Sequence, residues 1–266
     1  MPLTELMHYF NDQLQAQART QLLPKTGFYK VENGYWARFG SLTLGSHFHT
    51  IENATEENAI GEYSELTVRS GTGKPLSIDE IFNSLDNNND IIHLDRLIRT
   101  LHSLNYLQQF DGQKGLLALT VQPRHIISVA AEHGKAFEAI LSDCGLGPER
   151  VLLHTRLLNH DTLTHFRNAL LSYKSRGYLI GISIENKQDL LLLEELALPP
   201  DVIFQRETSD GEFRIHEEWL KHFAFSKYIV VSPQKRKSPT DNPSVSGYLK
   251  LPLPHHADGF SHQHGA

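Results

Sequence analysis

Cysteine is almost absent: Cys144 is the single one in 266 residues, which excludes an internal disulfide and suits a reducing compartment. Long apolar runs are absent as well. None approaches the roughly 20 residues that span a bilayer, and the first residues lack the basic and apolar blocks of a secretory signal. A cytoplasmic protein with no membrane contact is expected. Positive charge is in short supply: 25 Lys and Arg against 31 Asp and Glu give a net charge of −6, and such a chain has no general attraction for phosphate backbones. A nucleic-acid role would need a local basic patch. The cluster Lys235-Arg236-Lys237 lies in a Pro- and Ser-rich stretch that reads as a solvated loop, so no nucleic-acid partner is expected. Two catalytic signatures are missing too. No Gly-x-Ser-x-Gly turn presents a strained nucleophile, and Gly71-Thr72-Gly73-Lys74 lacks the spaced Gly-Lys-Ser/Thr of a phosphate loop, so it reads as a turn before Pro75.

What is present is a globular composition, 39% hydrophobic and 21% charged, in a length that one sizeable core can fill. Leu3, Leu6, Met7, Phe10 and Leu14 recur at helical spacing, which predicts an amphipathic helix before Pro24. That helix either covers an open end of the fold or docks on another chain. Residues 28–51 read as two short strands leading into Ser46 to Ile51. Strands are then predicted at 62–69, 115–121, 151–155, 179–184, 202–205, 228–231 and 248–251. Helices are predicted between them at 77–85, 91–109, 129–144, 162–175, 187–196 and 215–223.

Strands that alternate with helices imply a mostly parallel sheet, because parallel neighbours need a crossover and the helix supplies it. About eight strands in this order predict a closed α/β barrel of the (β/α)8 type. The domain reading is an N-terminal extension over 1–45, a barrel over 46–254 and a His-rich disordered tail over 255–266. Residues 232–247 are polar and Pro-rich with no helical period, one helix short of the earlier pattern, so the C-terminal part is shortened and barrel surface is left uncovered.

The order of short motifs resembles the EAL-domain family. Ser46-His47-Phe48-His49-Thr50-Ile51 resembles the family's opening Phe-Gln-Pro-Ile strand, and Glu65-Leu66-Thr67-Val68-Arg69 its Glu-Ala-Leu-Leu-Arg signature. Leu94-Asp95 resembles the Leu-Asp helix that follows. Thr120-Val121-Gln122-Pro123 stands where Asn-Leu-Ser-Pro belongs, Leu153-His154-Thr155-Arg156 where Glu-Leu-Thr-Glu belongs, and Ser183-Ile184-Glu185-Asn186 where Asp-Asp-Phe-Gly belongs. Phe204 falls on the family's lysine, Ser232 lies near its Ala-Glu-Gly, and Ser246-Gly247-Tyr248-Leu249 resembles Gln-Gly-Tyr-Leu. The resemblance implies an EAL-type TIM-like barrel whose active relatives are metal-dependent phosphodiesterases for the bacterial second messenger cyclic di-GMP.

Measured against that resemblance, the chemistry is lost. Two divalent ions need several hard oxygen donors to converge on them. Of the matched positions only Glu65 is a carboxylate, while Thr120, Leu153, Ser183, Ile184 and Ser232 are not, and Phe204 replaces the amine. Glu185 lies two positions after Ser183 on the same strand face, but it does not restore the others. Arg69, His49, Gln122 and Asn186 are the candidate contacts for a nucleotide, Arg69 through a phosphate. Arg69 has a structural alternative as a partner of Glu65. His47 and His49 alternate on one strand face without an identifiable third metal ligand, and His255, His256, His262 and His264 form an incidental tract.

The expectation is a catalytically inactive, cofactor-free and metal-free regulatory module that binds a protein partner in bacterial signalling. Binding of cyclic di-GMP is expected to be weak or absent, and the resemblance implies a homodimer. Two alternatives stand beside it: a receptor that binds cyclic di-GMP without hydrolysis, and a phosphodiesterase with unrecognised ligands.

Overall fold

The computed structural model describes residues 2–19, 23–110, 115–129, 135–207, 215, 217–233 and 244–251. Its strands are β1 Thr26–Val31, β2 Gly34–Phe39, β3 Leu42–Asn53, β4 Ala59–Arg69, β5 Pro75–Leu76, β6 Leu116–Thr120, β7 Val151–Arg156, β8 Leu179–Ile184, β9 Val202–Arg206, β10 Lys227–Ser232 and β11 Gly247–Lys250. Its helices are α1 Leu3–Ala18, α2 Ile78–Ser84, α3 Asn88–Gln109, α4 Pro123–Ser128, α5 Lys135–Cys144, α6 Leu163–Ser175, α7 Lys187–Leu196 and α8 Glu217–Leu220. Strands β3, β11, β10, β9, β8, β7, β6 and β4 neighbour one another in that order, and the pairing of β3 with β4 closes the ring. The expected barrel is therefore present.

One strand breaks the parallel pattern. β3 runs antiparallel to both β4 and β11, whereas β4, β6, β7, β8, β9, β10 and β11 pair in parallel. The short link from Asn53 to Ala59 explains it: so few residues can join β3 and β4 only as antiparallel neighbours. β4 and β6 approach so closely that a Cβ on Gly61 would meet the Leu116 carbonyl at 2.2 Å, so only glycine fits there.

Side chains fill two cores. Inside the barrel lie Ile51, Ala118, Leu152, Val202, Phe204, Ile229, Val231, Leu249 and Leu251. The larger outer core packs the surrounding helices on the strands' other faces and includes Leu153, Ile182, Ile184 and Ile203. Helix ends follow from local sequence. Asn186 and Asp189 form a reciprocal capping box at the start of α7, and Ser77 and Glu80 do the same for α2. Gly177 follows α6 at φ 88°, where a side chain would be strained.

The two short strands expected before Ser46 to Ile51 are β1 and β2, which the turn around Asn33-Gly34 folds into a hairpin, and the strand they lead into is β3, which begins earlier, at Leu42. Within the helix expected over 129–144, α5 covers Lys135–Cys144 and residues 130–134 lie outside the described residues, and a separate short helix, α4, precedes that range. Pro123 starts α4 early, at a position where its missing N–H costs nothing. The helix expected over 215–223 contracts to α8 and a short 3-10 turn, Lys221–Phe223. The uncovered stretch expected within 232–247, the Lys235 to Lys237 cluster and the His-rich tail all fall mainly or wholly outside the described residues.

The N-terminal helix does not close an end of the barrel. Leu6, Met7 and Phe10 are buried against the hairpin side, with the Phe10 and Phe28 ring centres 6.3 Å apart. Asn11 fixes the helix there. Its amide oxygen accepts the Phe28 N–H at 2.7 Å and its amide nitrogen donates to the Phe28 carbonyl at 2.9 Å, so one side chain does what a neighbouring strand would do for this edge. Asn105 on α3 repeats the device on β2, accepting from Tyr35 N–H and donating to Tyr35 O, both at 2.8 Å. Two asparagines clip the hairpin from two helices.

Candidate functional site at the barrel mouth

Strand register fixes which side chains turn inward, since paired residues share a face. His49 pairs with Tyr63, Thr120 with His154, His154 with Gly181, Ser183 with Phe204 and Arg206 with Val231. These residues line the inside at the strand ends. The parallel strands end there, and that end of a barrel is where loops and side chains assemble a site.

The floor of the mouth is a packed, neutral plug. The His154 ring meets Phe204 edge to face at 4.7 Å between centres and Tyr63 at 5.5 Å, and Tyr63 meets Phe204 at 6.1 Å. Polar atoms in the plug are paired with one another. Tyr63 Oη lies 3.2 Å from Thr120 Oγ1 and 3.3 Å from His154 Nδ1, and His154 Nε2 lies 2.7 Å from Ser183 Oγ. A neutral imidazole satisfies this arrangement by accepting at Nδ1 and donating from Nε2. Burial, aided by Arg206, pushes His154 down to about 3, so the neutral form persists at physiological pH. Ser183 and His154 stand at the spacing of a nucleophile and its base, but a base this weak does not draw a proton from serine.

Charge lies above the plug and is internally matched. Glu65 Oε2 accepts from His49 Nε2 at 2.7 Å, and this bond holds the carboxyl below its usual range. Arg206 Nε lies 3.3 Å from Glu185 Oε1. The His47 and His49 ring centres are 4.6 Å apart. Glu62, on the opposite face of β4 and outside the mouth, is raised by burial, and Thr50 partly offsets this by donating a hydrogen bond.

The structure places the remaining sequence candidates in three ways. Thr120, Ser183 and Phe204 are in the plug. Leu153, Ile184 and Ser232 are not: Leu153 and Ile184 belong to the outer core, and Ser232 follows the inward Val231 on the opposite face. His154, not Leu153, is the inward residue of β7. Arg69 is exposed at the end of β4, about 13 Å along the strand from Glu65. It makes no ion pair among the described residues, and Glu65 takes His49 in its stead. Gln122 is buried and donates its backbone N–H to Asp95 Oδ1 at 2.9 Å. Asn186 caps α7.

Tyr63, His154, Glu185 and Arg206 complete the site. The sequence offers Glu185 only as a substitute ligand. The other three had a legible signal: Tyr63 is two residues before Glu65, His154 interrupts an apolar strand, and Arg206 ends one.

These donors do not fit a pair of divalent ions. The inward set offers two carboxylates, Glu65 and Glu185, each already matched by a cationic or hydrogen-bonding neighbour, and the rest are hydroxyls, an aromatic ring and a neutral imidazole. Among the described residues no three His, Cys, Asp or Glu side chains are grouped to hold a metal ion.

With the geometry in hand, solved structures provide the comparison. The Bacillus subtilis YkuI protein, which has an EAL domain, superposes at a TM-score of 0.55 with 14% identity over 71% of this chain and 49% of YkuI. A standalone EAL protein from Vibrio cholerae gives 0.57 and 11% over 78% and 89%. The Xanthomonas citri FimX EAL domain gives 0.51 and 16% over 79% and 88%. The chain has the EAL-domain fold. The EAL fold here spans about half the length of YkuI, and the identities speak to architecture alone. No family model and no curated protein matches the sequence. No helix among the described residues is long and apolar enough to cross a membrane.

Proposed function

We propose that this chain is a catalytically inactive EAL-fold module that regulates by binding a protein partner in bacterial second-messenger signalling. The observation that carries this reading is the plug: Tyr63, Thr120, His154, Ser183 and Phe204 fill and neutralise the layer in which a two-metal hydrolase needs converging carboxylates. The YkuI structure is a complex with its substrate c-di-GMP and calcium, and the FimX domain is a complex with c-di-GMP. In this chain the mouth offers such a ligand no metal-bound phosphate site.

A second reading has one observation behind it. Arg69 is exposed without an ion pair among the described residues, and a guanidinium pairs well with a phosphate, so a receptor that binds cyclic di-GMP without hydrolysis is the alternative. Titration calorimetry of the full chain with cyclic di-GMP, with and without manganese, separates the two. No heat up to about 1 mM, roughly −4 kcal/mol, supports the protein-binding module. A low-micromolar dissociation constant weakened by Arg69→Ala supports the receptor. Manganese-dependent turnover abolished by Glu65→Ala would overturn both.

A further inference from the structure

Past the barrel mouth, β3 and β4 continue outward and join β1 and β2 in an antiparallel sheet with one covered and one open face. Phe28, Tyr35, Ala37, Phe39, Leu44 and Val68 lie on the covered face, and all are buried. The pairs Tyr29 with Trp36, Arg38 with Thr43, Thr43 with Arg69 and Gly45 with Thr67 lie on the other face. Arg38, Thr67 and Arg69 are exposed there, and Tyr29 and Trp36 are partly so.

This open face has an organised surface. The benzo ring of Trp36 rests against Gly45, where a Cβ would come within 3.3 Å of it. The Arg38 guanidinium sits 5.4 Å from the centre of the Tyr29 ring, a cation over an aromatic face. Arg38 and Arg69 flank Thr43 and are two strand spacings apart, about 10 Å. Charge here runs against the whole. On this face of β1, β2, residues 42–46 and residues 66–69 the charged side chains are Arg38 and Arg69, both positive in a chain of net charge −6, and the next charged group inward, Glu65, is matched by His49.

Trp, Tyr and Arg are the residues that dominate measured binding energies at protein interfaces. A face that carries them repays less of its energy in ordering when its sheet is already fixed, as the Asn11 and Asn105 clips fix this one. We propose that this sheet face docks an acidic segment of a partner protein, with carboxylates on Arg38 and Arg69 and an apolar side chain on Trp36. The proposal rests on the protein-binding reading above and names the surface and the partner's chemistry. Single-stranded nucleic acid is the weaker occupant, because two guanidiniums neutralise few phosphates while the net negative chain repels the rest. A small ligand is poorly served by a flat face that does not enclose it.

Random 12-residue peptides displayed on phage and selected on the full chain test this. The enriched sequences are then titrated as fluorescein-labelled peptides against wild type, Arg38→Glu/Arg69→Glu, Arg38→Lys/Arg69→Lys and Trp36→Ala. Enriched peptides should carry at least two Asp or Glu around an aromatic or long aliphatic residue. Charge reversal and Trp36→Ala should each weaken them at least tenfold, and the lysine pair should retain most of the affinity. Both arginines are exposed and Arg38 gives up only its surface contact with Tyr29, so the charge-reversed chain should stay folded with at most a small drop in thermal midpoint, and its result decides the matter if Trp36→Ala unfolds. Enriched peptides without acidic residues, or unchanged binding to the charge-reversed chain, overturn the proposal. A labelled 12-nucleotide single strand that binds more tightly than the peptides also overturns it. Failure here leaves the turnover assays untouched, whereas manganese-dependent hydrolysis would sink the inactive-module reading without altering peptide binding.

Discussion

Tyr63 and His154 face each other across the barrel floor, hydroxyl to imidazole at 3.3 Å, with Thr120 on one side and Ser183 on the other. Each polar atom depends on the next for its partner. Tyr63→Phe should therefore cost about 1 to 3 kcal/mol, because it strands the buried Nδ1 of His154 as well as removing two hydrogen bonds. Urea denaturation at neutral pH measures it, and an unchanged midpoint would show that the network contributes nothing net.

Phe204 is 2% exposed, and its ring comes within 2.9 Å of where a Cβ on Gly181 would stand. Gly181→Ala should destabilise by about 1 to 3 kcal/mol through overpacking, and Phe204→Ala by about 3 to 5 kcal/mol through the cavity it leaves. In the double variant the new methyl meets empty space, so the combined loss should be clearly smaller than the sum. Strict additivity would contradict the proposed contact.

Two buried histidines set the acid response. Burial pushes both His102 and His154 down to about 3, so the unfolded chain, with ordinary imidazoles near about 6.5, binds more protons throughout the interval between. Their stabilisation is complete above about pH 6.5 and is lost as pH falls toward about 3. Between pH 7 and 5.5 each should remove about 1 kcal/mol. Glu65, held low by His49, adds to the loss only further into acid, where Glu62, raised by burial, opposes it. Unfolding free energies at pH 7 and 5.5 should differ less in His154→Gln than in wild type. Equal differences would remove His154 as a source.

The hairpin clips make a local prediction. Gly34 has φ 155°, and a Cβ there would meet Asn105 Oδ1 at 2.7 Å, so the turn and the clip are fitted to each other. Asn105→Ala should cost about 2 kcal/mol by leaving the Tyr35 backbone groups unpaired. It should also speed hydrogen exchange at the Tyr35 amide, while the amides of β8 exchange as before. Protection unchanged at Tyr35 would mean that water or another group replaces the side chain.

The barrel was legible because its strands are short apolar runs separated by amphipathic helices, and each run supplied a strand of the observed ring. The facing of those strands was less so. In Val151-Leu152-Leu153-His154-Thr155 both faces are buried, so apolar alternation gives no parity and does not show that His154 rather than Leu153 faces inward. In β4 polar and apolar residues alternate, and Glu65 shares the inward face with Tyr63. The clips by Asn11 and Asn105 depend on contacts between residues 17 and 70 positions apart, and no local pattern encodes them. The plug was half visible. Phe204 and Ser183 stood out as departures from a resemblance, but their packing partners Tyr63 and His154 emerged only when register brought the strands together.

The central claim is that the mouth lacks the oxygen donors to trap two divalent ions. The most direct measurement is anomalous scattering from crystals of the full chain soaked in manganese and cyclic di-GMP. The account predicts no manganese peak within coordinating distance of Glu65, Thr120 or Ser183 and an intact Tyr63–His154–Phe204 plug. Two well-occupied manganese ions at the mouth, with the plug displaced, would contradict it.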